Sequence, residues 1–88
     1  EEFIGQISGV AAYGFFVTLD TYFVDGLVHA NSLRDDFYQL DRDAYAIIGE
    51  RGQRRYRIGD RVRVQVSRVD KEARHVDFLL VRKMAWKD

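Results

Sequence analysis

The sequence predicts a small all-β domain, a barrel of five strands, and three observations lead to that prediction. The chain has 88 residues, of which 47% are hydrophobic and 14% aromatic, enough for one modest packed core. Short segments in which apolar and polar side chains alternate with a two-residue period recur along it. Proline is absent and the seven glycines are spread singly, so no flexible linker divides the chain. We therefore expect one domain built from strands.

The first two strands are predicted at Phe3–Val10 and Phe15–Asp20. One face of the first strand carries Phe3, Gly5, Ile7 and Gly9, and the other carries Ile4, Gln6, Ser8 and Val10. Its glycines indicate a strand that bends sharply, as closure of a barrel requires. In the second strand, Phe15, Val17 and Leu19 share the inward face. Phe16 therefore falls on the outward, polar face.

Three further strands follow the same alternation. Phe23–His29 reads as the third strand, and Asn31-Ser32 then offers a cap to a short helical turn. The fourth strand spans residues 61–70, with Val62, Val64 and Val66 facing inward. The last strand pairs back through a short hairpin, with Val76, Phe78 and Leu80 on one face. Residues 82–88 have no partner in this pattern, so we expect a domain at 1–81 and a frayed or briefly helical tail.

The segment between His29 and Gly59 is too long for a plain connection and should have structure of its own. We predict a small β-hairpin there, inserted between the third and fourth barrel strands. Its two strands would be Tyr45–Ile48 and Arg54–Ile58, with Gly52 supplying the turn.

The charge is balanced overall but uneven along the chain. Residues 1–44 carry a net charge of −6 and residues 45–88 one of +6. Either the surface is polarised, or the two halves neutralise each other in the fold. In the second half, Arg54, Arg55, Arg57, Arg61 and Arg63 form a basic tract. This tract either guides a phosphate backbone or is a solvated charged face.

Catalytic and metal chemistry find little support. With two histidines and no cysteine, neither a Ser/His/Asp nor a Cys/His arrangement can be argued. The acids Asp35, Asp36, Asp41 and Asp43 lack calcium-loop spacing, so an acidic surface loop is the better interpretation. The absence of cysteine agrees with a reducing cytoplasm, and no apolar run approaches the ~20 residues that cross a bilayer. Because the chain begins in strand-like sequence, we expect it to be cut from a longer protein.

The order of three strands, a helical turn or insertion, and two more strands is that of the OB-fold, a small nucleic-acid-binding barrel. Five ordered motifs together resemble the S-one RNA-binding domain over residues 2–81. They are Gly5–Val10, Tyr13–Val17, Gly26–His29, Tyr56–Asp60 and Val69–Arg74. Residues 35–38, 48–51, 54–60 and 74–78 resemble the version found in the ribonuclease R family of bacterial exoribonucleases. At Gly52-Gln53 the sequence departs from that version, in which the glycine is expected one place later.

The resemblance implies an RNA-binding platform with five members, Tyr13, Phe16, His29, Asp70 and Arg74. The rings would stack on unpaired bases, Arg74 would meet phosphate or a base, and Asp70 would hold Arg74 and shape the hairpin. The implied partners are single-stranded RNA and the catalytic and other RNA-binding domains of the parent protein. No cofactor is implied for this domain, and Mg²⁺ is expected only in the parent's catalytic domain.

Two other functions remain open on the sequence. The domain is an S-one module of another RNA-degradation or translation factor, or it is a protein-interaction module whose outward aromatics act as hot spots. The placement of Phe16 also has an alternative, in which its ring packs beneath the inserted hairpin or against a neighbouring domain. RNA binding that weakens with salt would separate nucleic-acid recognition from protein docking.

Overall fold

The structure, a computed structural model, describes residues 1–85. The strands are β1 (Glu2–Ala11), β2 (Gly14–Leu19), β3 (Asp25–His29), β4 (Tyr38–Asp41), β5 (Ala46–Gly49), β6 (Arg55–Arg57), β7 (Arg61–Asp70) and β8 (His75–Lys83). Five of them close into a barrel in the order β1-β2-β3-β8-β7, while β4, β5 and β6 form a separate sheet. The predicted all-β class and the five-stranded barrel are confirmed.

A single 3₁₀ turn at Ala30–Ser32 takes the place of the predicted helical turn. The hydroxyl of Ser32 donates a hydrogen bond to the carbonyl of His29 at 2.6 Å, so it closes the turn from within instead of capping a following helix. Within residues 1–85, no helix has the length and apolar character needed to cross a membrane.

The barrel core is built from the side chains that the alternation places inward. Phe15 and Val17 of β2 are fully buried, and Leu19 is nearly so. The core also contains Ile7, Val28, Val62, Val64 and Phe78. Burying one aliphatic or aromatic side chain of this size contributes about 1.5–3 kcal/mol. The two-residue period of the strands is therefore what gives the barrel its hydrophobic interior.

Val66 departs from its predicted inward position and is 43% exposed. The pairing of β1 with β7 extends only from Gln6 opposite Arg61 to Glu2 opposite Gln65. Beyond Gln65, β7 has only β8 beside it within the described residues, and the ladder between these two strands shifts register between Val66 and Arg68. Val66 therefore lies at the edge of the barrel, although Phe78 opposite it on β8 is buried in the core. The alternation of apolar and polar residues predicts which side chains face inward, but it does not predict where along the strand the hydrophobic core ends.

A bulge in β1 changes which of its side chains face inward. Ile7 pairs with Val17 and Gly9 with Phe16, so Ser8 is the extra residue in the ladder. We expected Gly9 to share the face of Ile7 and Val10 to point the other way; instead Val10 packs against the core. An extra residue in one strand moves the side chains that follow it to the opposite face of the sheet from the one that simple alternation predicts. The predicted faces of β1 are therefore wrong after Ile7.

The predicted insertion is present, but it has three strands rather than two. β5 pairs with β6, with Ala46 opposite Arg57 and Ile48 opposite Arg55, so the predicted hairpin forms. β4 joins the other edge of β5, where Tyr38 lies opposite Gly49. Sequence reasoning misses β4 because its four residues lie between acidic positions that indicate a surface loop.

The inserted sheet is anchored in the barrel core by Tyr56, which is 1% exposed. The ring of Tyr56 stacks on Phe15 with a centroid distance of 5.2 Å and an interplanar angle of 21°. Tyr38 packs against Tyr56 at 5.5 Å, and Ile47 is fully buried beside them. Aromatic pairs of this kind contribute about 0.5–1.5 kcal/mol beyond the area they bury. The insertion thus shares the barrel's core.

The turn between β5 and β6 has its left-handed residue at Gln53, with φ of 58°, and not at Gly52. The prediction that Gly52 supplies the turn is wrong, and the left-handed position is the one where the resemblance expects glycine. Asp36 stabilises this turn from outside it. Its carboxylate accepts hydrogen bonds from the backbone N–H of Gly52 at 2.8 Å, of Arg51 at 2.9 Å and of Phe37 at 2.7 Å.

The chain after residue 81 is more ordered than predicted, because β8 continues through Lys83. Nζ of Lys83 lies 3.1 Å from the carboxylate of Asp60 and donates to the carbonyl of Arg55 at 2.8 Å. The N–H of Met84 donates to the carbonyl of Arg61, and the Met84 side chain is buried. These contacts hold the end of β8 against β7 and the insertion. The rest of the predicted tail, residues 86–88, lies outside the described residues.

The hydrogen bonds of Asp36 predict that the stability of the fold depends on pH. The hydrogen bond from the Gly52 N–H, supported by those from Phe37 and Arg51 and by the charge of Arg51, lowers the pKa of Asp36 below 3.8, although partial burial opposes this. A carboxylate with a lowered folded-state pKa stabilises the fold above its unfolded pKa, and that contribution is lost as pH falls through the folded value. We expect wild type to melt above Asp36→Asn at neutral pH, with the gap shrinking below about pH 4.

Asp43→Asn is the matched control, because it removes the same charge from a carboxylate that has no described hydrogen bond. Its melting temperature should stay close to that of wild type at neutral pH. A gap between wild type and Asp36→Asn that stays constant from pH 7 to pH 3 would contradict the assigned role.

Candidate nucleic-acid interface

Tyr13 is positioned by a tight β1–β2 turn that is tied to the end of β3. Its carbonyl accepts a hydrogen bond from the N–H of Ala30 at 2.8 Å. Gly14 pairs with His29, and a Cβ at Gly14 would lie 2.1 Å from the carbonyl oxygen of Val28. Only glycine permits this approach. The backbone therefore brings Tyr13 and His29 to the same end of the sheet, with the Tyr13 side chain 58% exposed.

Phe16 lies in β2 with its ring on the outward face, where the alternation predicts it. Its backbone pairs with Gly9 on one side and Leu27 on the other. The half-buried ring meets Tyr13 edge to face, with a centroid distance of 6.2 Å and an interplanar angle of 90°. The inserted sheet packs instead on Phe15, which points the opposite way. The alternative in which Phe16 is covered by the insertion is therefore not the arrangement in this structure.

A groove of about 460 Å³ opens between these two rings and the start of β8. We call it the aromatic groove; it is lined by Tyr13, Phe16, Asp25, Gly26, Leu27, Arg74, His75, Val76 and Asp77. Leu27 lies at its centre, because it pairs with Phe16 on β2 and with Asp77 on β8. The volume is in the range of small-ligand sites, about 300–1,000 Å³. Aromatic rings on one wall and the Arg74 guanidinium on the other suit a flat ring that carries a negative group.

His29 does not line the aromatic groove, but it contacts the wall through Asp77. Its Nε2 lies 3.1 Å from Oδ1 of Asp77. Sequence reasoning missed Asp77, although the inward positions of Val76 and Phe78 already imply that the residue between them has a different orientation. What the sequence does not reveal is that β3 and β8 run parallel as neighbours, which brings Asp77 to His29.

Arg74 ends the β7–β8 turn with φ of 57°, a left-handed conformation that a residue with a side chain seldom adopts. The carboxylate of Asp70 accepts a hydrogen bond from the N–H of Ala73 at 3.1 Å and so fixes the turn. Asp70 therefore shapes the hairpin, as expected. Its described partner is Ala73 and not Arg74, and it does not line the aromatic groove. The structure brings Tyr13, Phe16 and Arg74 together and leaves Asp70 as a support.

The basic tract of residues 54–63 is largely paired with acids from the first half of the chain. Arg61 forms a two-pronged pair with Asp20. Arg63 lies 3.7 Å from Glu2, and Arg54 lies 3.7 Å from Asp35. Each of these pairs joins the acidic half to the basic half. They favour the interpretation in which the halves neutralise each other, and they leave Arg74 as the cation placed at the aromatic groove.

Two of the acidic positions of the insertion, Asp36 and Asp41, are used for turns. Asp36 holds the β5–β6 turn, and Asp41 accepts hydrogen bonds from the N–H groups of Asp43 and Ala44. In the part of the chain that the structure describes, no three acidic or histidine side chains converge in a way that would hold a metal ion.

The fold and the groove together define a class of protein. The outward face of β2 and β3, where the aromatic groove lies, is the surface on which OB-fold barrels bind oligonucleotides. Exposed rings beside an arginine are the elements that such surfaces use to stack bases and to hold phosphates. The domain is an OB-fold module of the nucleic-acid-binding class.

Comparison with known proteins identifies the family. The chain belongs to the S1 RNA binding domain family, whose model matches residues 1–80. It is 47% identical over 79 residues to ribonuclease R of Escherichia coli K12, covering 90% of this chain and 10% of that protein. Ribonuclease R of Aquifex aeolicus is 46% identical over 84 residues, covering 96% of this chain and 12% of that protein. The chain thus spans about a tenth of the length of these relatives.

A solved structure gives the same result. The chain matches Mycoplasma genitalium RNase R in complex with ribose methylated single-stranded RNA, with a TM-score of 0.86 and 27% sequence identity. The match covers 92% of this chain and 13% of that one. The resemblance to the S-one domain of the ribonuclease R family, drawn from the sequence motifs, is confirmed.

The opposite directions of Phe15 and Phe16 yield a paired prediction. Phe16→Ala should weaken RNA binding by about 1–3 kcal/mol, the contribution of one base stacked on an aromatic ring, with little change in melting temperature. Phe15→Ala should instead cost about 3–5 kcal/mol of folding stability, because it leaves a cavity against Tyr56. Thermal melts and RNA titrations of both variants check the comparison. Equal loss of stability in the two variants, or a folded Phe16→Ala with unchanged RNA affinity, would show that the binding face is wrongly assigned.

Proposed function

We propose that this domain binds single-stranded RNA in the aromatic groove and holds it for a neighbouring 3′-to-5′ exoribonuclease domain of a longer protein. The observation that carries the proposal is that two outward rings, Tyr13 and Phe16, face Arg74 across one groove. Bases stack on aromatic faces without regard to sequence, and a guanidinium pairs with phosphate. The similarity to an RNase R that was solved in complex with single-stranded RNA supports RNA as the ligand.

The five sequence-predicted residues have different roles in this proposal. Phe16 and Tyr13 stack on bases, and Arg74 holds the phosphate backbone. His29 acts at the edge of the groove, where it is paired with Asp77. Asp70 supports Arg74 indirectly by fixing the turn. Binding therefore depends on three direct contacts and two positioning residues.

The link to RNA degradation rests on the relatives. The matched proteins are named ribonuclease R, and the chain corresponds to about a tenth of their length. In this proposal the hydrolysis, and the Mg²⁺ it needs, belong to another domain of the parent protein, and this domain needs no cofactor. Its partners are that catalytic domain and the other RNA-binding domains, in the cytoplasm.

The direct test is an RNA titration followed by amide NMR at several salt concentrations. The amide signals of Phe16, Leu27 and Arg74 should shift, because these residues border the aromatic groove. The logarithm of the affinity should fall linearly with the logarithm of the salt concentration, since phosphate contacts release counterions. Arg74→Gln should make that slope shallower by about 0.7, the value for one lost phosphate contact on a single strand.

Arg42→Gln is the matched control, because it removes the same charge from the β4–β5 turn of the insertion. It should leave the slope close to that of wild type. Binding that is independent of salt, or shifts confined to the inserted sheet, would contradict the proposed site.

The proposal also predicts that the purified domain leaves RNA intact. End-labelled single-stranded RNA incubated with the domain should keep its length with or without Mg²⁺, because the parent's hydrolysis is assigned to another domain. A denaturing gel with a known ribonuclease as positive control measures this. Stepwise, metal-dependent shortening of the RNA by the domain alone would overturn its assignment as a binding module.

A further inference from the structure

We propose that the aromatic groove selects among bases, favouring those that carry an exocyclic amino group over uracil, through the carboxylates of Asp25 and Asp77. The inference rests on the proposed function and extends it from RNA binding to base preference.

The two carboxylates are oriented in the same way. Oδ1 of Asp25 lies 2.6 Å from the hydroxyl of Thr18, which donates to it. Oδ1 of Asp77 lies 3.1 Å from Nε2 of His29. Each side chain is thus held by one oxygen, and within residues 1–85 the other oxygen has no described partner. A group whose orientation is fixed before binding loses less freedom when a ligand arrives.

Both carboxylates border the position where a base would stack. Asp25 and Leu27 are alternate residues of β3, and Asp77 pairs with Leu27 from β8. Phe16 pairs with Leu27 from the other side. A base resting against the ring of Phe16 therefore has acceptor oxygens along its edge. Arg74, which also lines the groove, supplies a positive charge that attracts the phosphate backbone.

The chemistry of the base edges gives the direction of the preference. An ionised carboxylate only accepts hydrogen bonds. Cytosine offers its N4 amino group as a donor, and carboxylates accept from it; adenine offers its N6 amino group. Uracil has a carbonyl oxygen where cytosine has that amino group, so an acceptor faces an acceptor. Cytosine and uracil have the same ring size, so their comparison isolates this edge from differences in stacking.

The test compares oligocytidylate and oligouridylate of equal length at one salt concentration and neutral pH. Wild type should bind oligocytidylate about 5- to 10-fold more tightly, the lower part of the range for discrimination at a base edge. In the double variant Asp25→Asn with Asp77→Asn the ratio should fall towards one, because an amide can donate to the uracil carbonyl as well as accept. Asp43→Asn, which removes a carboxylate from the insertion, should leave the ratio unchanged.

The possible failures separate the two proposals. Equal wild-type affinities for the two RNAs overturn the base preference and leave RNA binding intact. A preference that persists in the folded double variant overturns its assignment to these carboxylates. Absence of binding to any single-stranded RNA overturns the proposed function itself. Because the wild-type comparison needs no variant, a double variant that fails to fold does not remove the test.

Discussion

The stack of Phe15 on Tyr56 is the contact on which both the fold and the interface depend. Phe15 is the inward residue of β2 at the point where the inserted sheet closes over the barrel, and Tyr56 reaches it from β6. Since side chains alternate along a strand, burying Phe15 places Phe16 on the opposite face. The same contact therefore attaches the insertion and presents the ring at the centre of the candidate site.

The second constraint is the position of β3 between β2 and β8. On the inward face of β3, position 26 must be glycine, because a Cβ there would lie 2.4 Å from the ring of Phe78. Its outward face contributes Asp25 and Leu27 to the aromatic groove. Phe16 and Asp77 are far apart in sequence but lie on either side of β3, about two strand spacings or ~10 Å from each other. The groove exists because a parallel pair, β3 with β8, closes the barrel at this place.

The sequence predicts most of the barrel and part of the site. Alternation places Phe15 inward and Phe16 outward, and the hairpin of β7 and β8 follows from the valines and the short turn. Sequence does not predict the bulge at Ser8, because an extra residue in a ladder is a property of the pair of strands. It does not predict Asp77 as the partner of His29 either, since the pairing of β3 with β8 joins segments about 50 residues apart. The local sequence pattern determines which face of a strand a side chain lies on, whereas the pairing of distant strands depends on how the barrel closes.

The acidic residues show how this chain makes tight turns at positions that are not glycine. Among residues 1–85, three residues other than glycine have positive φ: Tyr45, Gln53 and Arg74. Each follows a residue whose backbone N–H is bonded to an aspartate: Ala44 to Asp41, Gly52 to Asp36, and Ala73 to Asp70. A left-handed residue with a side chain costs roughly 1–2 kcal/mol, and a charge-assisted hydrogen bond offsets a cost of that size.

These turns give three of the acidic residues a structural role in a domain that we propose to bind a polyanion. Asp36, Asp41 and Asp70 have their carboxylates engaged by backbone N–H groups, and Asp20 is engaged by Arg61. A net charge of zero is then compatible with RNA binding, because attraction depends on the charges close to the phosphate and falls off within about 10 Å at 0.1 M salt. At the aromatic groove Arg74 sits where the turn fixed by Asp70 places it. Asp70, whose charge would by itself repel RNA, therefore fixes the turn that positions Arg74, the cation that we expect to attract RNA.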